Sequence, residues 1–276
     1  MSGESPYPSW VAYEPALVPP PEVMAWEGIE VLEEWFRWGE EWSVLLRILA
    51  GLGSSSAVLE IGCGLGRIAF PLRFVLRGDG AYDGFDIVKR KIEFLQERFT
   101  PAYPSFRFNW ANLRNTHYNP GGETEPADFR FPYQEAVFDV VFAASVFTHM
   151  SLPNTAHYVA ESARVLRPGG RCLFSFFLLD YQRPAEQRPS PFARPDFDFT
   201  ELGGGFGAAF EDDVERMTAY RLATIERLAS ACGLELDRAP LPGYWSGSSD
   251  TWIGAQDLVV LRHRERRRSP RRFPFR

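Results

Sequence analysis

Residues 58–67 read Val58-Leu59-Glu60-Ile61-Gly62-Cys63-Gly64-Leu65-Gly66-Arg67, VLEIGCGLGR. A short apolar run of strand character passes into a turn with glycine at every second position. Glycines in a strand-to-helix turn let a ligand come close to backbone, and their spacing separates one ligand class from another. A nicotinamide-dinucleotide fingerprint requires G-x-G-x-x-G. Counted from Gly62 its third glycine falls on Arg67, and counted from Gly64 it falls on Ala69, so that register fails twice. A Walker A loop requires G-K-[ST], a triplet the chain lacks.

Outward from this turn, strand and helix signals alternate. Upstream, apolar residues recur at helical spacing from Glu22 to Gly51, with Gly39 expected to divide them into two helices. Downstream come a helix over 66–77, the strand AYDGFD (81–86), a helix over 89–99 and the strand FRFNWA (106–111). A long loop, 112–136, leads to FDVVFAAS (138–145), whose unbroken apolar run suits a strand buried on both faces. A helix over 155–166, the turn Arg167-Pro168-Gly169-Gly170 and the strand RCLFSFFLL (171–179) follow. Residues 181–214, rich in Pro, Gly and Phe, read as an insertion. A helix ending at Cys232-Gly233 and the strands LELDRAP (234–240) and QDLVVLR (256–262) complete the pattern. Such alternation predicts an α/β, doubly wound sheet that binds its ligand at the carboxyl ends of the strands.

The spacing Glu60-x-Gly62-x-Gly64-x-Gly66 resembles the first motif of class I S-adenosylmethionine-dependent methyltransferases. FDVVFAASVFTHM (138–150) resembles their fourth-strand motif, and ARVLRPGGRCLFSFFLL (163–179) their helix, R-P-G-G turn and fifth strand. The resemblance extends over about residues 44 to 261. It implies a Rossmann-like, seven-stranded sheet in the order 3-2-1-4-5-7-6 with strand 7 antiparallel, N-terminal helices and an insertion after strand 5. It also implies S-adenosyl-L-methionine as cofactor and S-adenosyl-L-homocysteine as product. Residue by residue, Gly62, Gly64, Gly66 and Arg67 fall in the cofactor set, with Glu60 near the amino group of its methionine part. Asp86 is placed on the ribose, Ile87 over the adenine, and Asn112 and Leu113 at the adenine amino group. Ser145 and Val146 contact the cofactor through backbone. The implied organisation is a leader with N-terminal helices over 1–56 forming part of a lid, a methyltransferase domain over 57–262 and a basic tail over 263–276.

Methyl transfer is a displacement that needs alignment, and a base where the nucleophile carries a proton. His149, just past the fourth strand, is the candidate base because imidazole exchanges protons near neutrality. Tyr118 is a second candidate, and His117 a weaker one. No N-P-P-[FY] follows the fourth strand and no Pro-Cys pair is present, which sets aside base N-methylation and cytosine C5 chemistry of those types. The fourth strand ends without an acidic ligand, so metal-independent transfer is expected. Tyr181, Phe192, Phe197, Phe199, Phe206 and Phe210, with GYWSGSSDTW (243–252), are expected to wall the acceptor. Cys63, Cys172 and Cys232 are too far apart for a C-x-x-C site and read as buried small residues.

The net charge of −6 is unevenly spread: residues 262–276 carry eight Arg against one Glu, or +7, which leaves −13 on the other 261 residues. An acidic body is a poor binder of phosphate backbones, so a small-molecule acceptor, methylated at oxygen, is favoured. An N or carboxylate acceptor, RNA reached through the tail, and a non-catalytic cofactor-binding protein stand as alternatives. The N-terminus shows no basic segment followed by an apolar run and no window long enough to span a bilayer, so a cytoplasmic protein is expected.

Overall fold

The computed structural model describes residues 14–184, 187–188 and 197–264. The strands are β1 (Ala57–Ile61), β2 (Ala81–Asp86), β3 (Phe106–Trp110), β4 (Phe138–Ala143), β5 (Leu166–Phe176), β6 (Thr200–Gly203), β7 (Phe206–Ala208), β8 (Thr218–Tyr220), β9 (Leu234–Leu236) and β10 (Asp257–His263). Seven of them form one sheet in the order β3-β2-β1-β4-β5-β10-β9, and β10 is antiparallel to both its neighbours. This is the 3-2-1-4-5-7-6 order with an antiparallel last strand that the resemblance implies.

Period-two alternation divides the core between the two faces of the sheet. Val58, Val140, Phe142, Leu258 and Val260 pack on one side, with apolar residues of α2 (Leu32–Leu49), α3 (Ala69–Leu72) and α4 (Lys89–Ala102). Leu59, Ile61, Val141, Ala143 and Val259 pack on the other, under α5 (Leu152–Val165) and α6 (Leu222–Ala231). No described helix is long and apolar enough to cross a membrane.

Two expectations need correction. Gly39 does not break the N-terminal helix: α2 runs through it, and the break falls at Gly28, which caps the preceding 3-10 turn at φ +67°. Gly39 serves close approach instead, since a Cβ there would lie 2.1 Å from the carbonyl oxygen of Arg67. That carbonyl is available because Pro71, four residues on, has no N–H to give it. The helix expected over 66–77 is reduced to the single turn of α3. Within the insertion β6 and β7 pair antiparallel, and β8, just beyond residue 214, completes a small three-stranded sheet. The R-P-G-G turn loops out within β5, between the pairs Phe138–Leu166 and Val140–Arg171.

Candidate active site

The glycine turn leaves β1 at the carboxyl edge of the sheet, where Phe85 at the end of β2 accepts from the N–H groups of Gly62 and Cys63 at 2.8 and 3.0 Å. Gly62, Gly64 and Gly66 have φ of +71°, +52° and +74°, a region costly for residues with a Cβ. Added Cβ atoms would lie 2.5 Å from Val146 at Gly62, 2.2 Å from the Glu27 carboxylate at Gly64 and 2.7 Å from Leu95 at Gly66. Glycine at these positions therefore lets Val146, the Glu27 carboxylate and, in α4, Leu95 come up against the turn. A cavity of roughly 350 Å³ sits over this turn, lined among others by Glu60, Gly62, Gly64, Asp86 and Val146.

Acidic groups and one lysine organise its floor. Asp86 accepts from Gly64 N–H at 2.9 Å through Oδ2 and from Val88 N–H at 2.8 Å through Oδ1, which locks the two turns together. Burial pushes the Asp86 carboxyl above its usual range against the opposing Lys91 charge and these N–H bonds. Glu27, from the N-terminal segment, accepts from Leu65 N–H at 2.9 Å and pairs with Lys91 at 3.2 Å. Burial pulls the Lys91 ammonium down, but the Glu27 and Asp86 carboxylates outweigh it and hold its pKa above the ordinary lysine value. Glu60 is buried, accepts the Tyr82 hydroxyl proton and is pushed well up by desolvation.

Beside this cavity lies a second, of roughly 750 Å³. Trp38, Arg67, Ala144, Ser145 and His149 border both. His149 is held between two protein segments: its Nδ1 is 3.2 Å from the Glu215 carbonyl oxygen, and its Nε2 is 3.4 Å from the Tyr118 hydroxyl. A carbonyl only accepts, so Nδ1 carries the proton and Nε2 keeps its lone pair. Burial lowers the His149 pKa, and the Glu215 and Arg216 backbone contacts offset this only in part. The side chain is thus a neutral base at pH 7. Glu215 fastens the arrangement by accepting from Thr116 N–H at 2.8 Å and from Asn115 Nδ2 at 3.2 Å.

Residues 59–174 match a family model described as a methyltransferase domain. The matched residues run from β1 into β5, and they resemble the domains of class I S-adenosylmethionine-dependent methyltransferases. Two curated relatives are also similar to this chain. A 27-O-demethylrifamycin SV methyltransferase of Amycolatopsis mediterranei is 32% identical over 130 residues, covering 46% of this chain and 41% of the relative. An O-methyltransferase of Penicillium expansum is 26% identical over 129 residues, covering 46% and 40%. The chain spans less than half the length of these relatives. Among solved structures, the S-adenosylmethionine-bound amino pentose methyltransferase CalS10 of Micromonospora echinaspora shares the fold, with a TM-score of 0.54 and 11% identity over 95% of this chain and all of that one (100%).

The cofactor of this methyltransferase family fits the residues present. Gly62 and Gly64 line the cavity with backbone alone, and a buried carboxylate, Asp86, stands at the cavity wall to accept from hydroxyls. Of the residues expected to bind it, Glu60, Gly62, Gly64, Arg67, Asp86, Ile87, Leu113, Ser145 and Val146 line the smaller cavity, as do His149 and Tyr118. Gly66 and Asn112 are not among the lining residues. Gly66 faces Leu95, and the Asn112 side chain accepts from Asn119 at 3.3 Å. His117 is exposed and packs its ring on Tyr118 at 4.7 Å.

The aromatic wall has a different origin from the one expected. Tyr244, Trp245 and Trp252 of the GYWSGSSDTW segment line the larger cavity, but of the named insertion aromatics only Phe197 does. Phe199 packs into a small core with Phe177 and Trp245, Phe206 lies against Tyr220, and Phe210 lies under Arg216; Phe192 is outside the described residues. The rest of the wall comes from Phe177, just past β5, and from Trp38 and Trp42 of α2. The sequence placed Trp42 on an apolar helix stripe and the N-terminal helices in a lid, but neither tryptophan was expected in the wall, although Arg37, Trp38, Glu41, Trp42 and Leu45 recur at helical spacing on one face. Glu27, Lys91 and Glu215 gave no sequence signal, because their roles depend on segments that meet only in the fold.

Proposed function

We propose that this protein transfers a methyl group from S-adenosylmethionine to a hydroxyl oxygen of a small molecule seated in the larger cavity. When bound, the cofactor supplies a methyl group on a sulfonium that a nucleophile can displace directly. Gly62, Gly64, Asp86, Ile87 and Val146 hold it, and Arg67 offers a cation at the boundary between the cavities, where it stacks on Trp38 at 4.8 Å. The acceptor packs against Trp38, Trp42 and Trp252, and its hydroxyl proton passes to Nε2 of His149. The Tyr118 hydroxyl faces the same lone pair and turns aside for this transfer.

The observation that carries this reading is the placement of His149: a neutral imidazole, its tautomer set by the Glu215 carbonyl, on the border of both cavities. An alcohol is a poor nucleophile until its proton leaves, so a base held there has a task that a carboxylate acceptor would not give it. The O-methyltransferase names of the similar curated proteins agree with an oxygen acceptor.

We further propose that residues 1–56 contribute a lid. Of this segment, Glu27 reaches the glycine turn and Trp38 and Trp42 reach the acceptor cavity. Residues 57–262 form the methyltransferase domain, and 263–276 form an appended basic tail. Calorimetric titration with S-adenosylmethionine, S-adenosylhomocysteine and NAD, followed by mass-spectrometric screening of hydroxylated aromatic compounds for methylated product, tests the function. Binding of the two sulfur ligands without NAD binding, together with an O-methyl product, is expected. Failure to bind S-adenosylhomocysteine overturns the reading.

A further inference from the structure

Where β4 ends, Ser145 adopts φ +58°, a left-handed conformation that a residue with a Cβ holds only when its surroundings enforce it. The enforcement is visible. Its N–H donates to Ser175 Oγ at 2.8 Å, the Ser175 hydroxyl donates to Gln256 Oε1 at 2.6 Å, and the Ser145 hydroxyl donates to the same oxygen at 3.1 Å. This network fixes the orientation of the Gln256 amide. The 2.6 Å contact of Ser175 falls in the range of O–H···O bonds and is short for N–H···O, and only the carbonyl end of an amide accepts.

Two consequences follow for the other end of that amide. Both lone pairs of Oε1 are taken, and Nε2 has two N–H groups with no hydrogen-bond partner among the described residues. Gln256 lines the larger cavity among Trp, Phe and Tyr rings, where its amide joins Arg37, Glu41 and Arg67 as a polar group able to orient a bound molecule. His149 borders the same cavity.

We infer that Gln256 is an acceptor-positioning residue whose Nε2 donates to a second oxygen of the substrate, which is therefore a hydroxylated aromatic compound that also carries a hydrogen-bond-accepting oxygen such as a ketone. The inference rests on the methyltransferase reading above. Sites built to hydrogen-bond a substrate group reject analogues that lack it far more strongly than apolar pockets reject a change of shape.

The test uses the full chain loaded with S-adenosylhomocysteine, and the titration of that ligand reports on the cofactor reading by itself. Acetyl-2-naphthol regioisomers are then titrated beside isopropyl-2-naphthols of matched shape. At least one ketone is expected to bind tenfold or more tightly than its isopropyl counterpart. Gln256→Glu keeps an oxygen for both serine hydroxyls and removes the N–H donors, so it should abolish that preference while S-adenosylhomocysteine affinity and Tm stay unchanged. A wild-type protein that discriminates no pair overturns the inference whatever the variant does. So does a preference that survives in Gln256→Glu.

Discussion

Asp86 has two tasks that one substitution separates. Its oxygens already hold Gly64 and Val88 N–H, and the same carboxylate borders the smaller cavity, where the cofactor is proposed to bind. Asp86→Asn retains one acceptor oxygen, whereas Asp86→Ala removes both tasks. Charge-assisted hydrogen bonds are worth about 1.5–3 kcal/mol each, so S-adenosylhomocysteine affinity should fall by one to two orders of magnitude or more in the alanine variant and by less in the asparagine variant. Equal affinity in all three folded proteins, measured by calorimetry, would remove Asp86 from the site. His149 gives a pH prediction with a definite sign. Because burial lowers its pKa, the acidic limb of kcat/KM should lie below the ordinary histidine value of 6.5. His149→Ala should lose that limb and about 10²–10⁴ in rate. Its stability contribution runs the same way: the unfolded chain takes up the proton first, so stability is present above 6.5 and is lost as pH falls through the lower folded value. Gly62, Gly64 and Asp86 were legible because each answers a local demand of strand and turn. Glu27, Glu215 and Gln256 were not, since each acts on a residue at least 38 positions away.

At the scale of elements, the sheet was legible because its strands are apolar runs punctuated by Gly and Pro, and strand order came with the motif resemblance. Helix limits were less so. A glycine inside an amphipathic run has two readings, a break or a close contact, and the sequence around Gly39 does not distinguish them. Alanine is favoured over glycine in a helix interior by about 1 kcal/mol, so a free-standing α2 would be stabilised by Gly39→Ala. Here the new methyl group meets the Arg67 carbonyl oxygen, backbone that cannot rotate away. Overpacking of this kind costs about 1–3 kcal/mol. Gly39→Ala should therefore lower the urea midpoint, and because α2 carries Trp38 and Trp42, acceptor affinity should weaken with it. A higher midpoint would show that α2 does not bear on the glycine turn.

On the scale of the whole molecule, charge separates two kinds of acceptor. Arg264 is still tied to the body, its N–H donating to the Gly233 carbonyl at 3.1 Å and its guanidinium to Glu235 at 3.3 Å. A truncation testing the tail therefore begins at residue 265. It removes six Arg and one Glu and takes the formal net charge from −6 to −11. For a small acceptor enclosed by aromatic walls, this change acts only through a distant field that salt screens within about 8 Å at physiological ionic strength. S-adenosylhomocysteine affinity and turnover of a hydroxylated aromatic acceptor should then stay within about twofold of the full chain. A polyanionic acceptor makes the opposite demand. Neutralising phosphates releases counterions, and for single strands log K falls with log salt at about 0.7 per phosphate contact. Measuring oligoribonucleotide binding by both proteins across a salt series, beside turnover of the small acceptor, decides between them. Small-molecule turnover that survives truncation, with weak and tail-dependent RNA binding, is the outcome this acidic body predicts. Turnover only on RNA, lost with the tail, would transfer the acceptor site from the larger cavity to the basic segment.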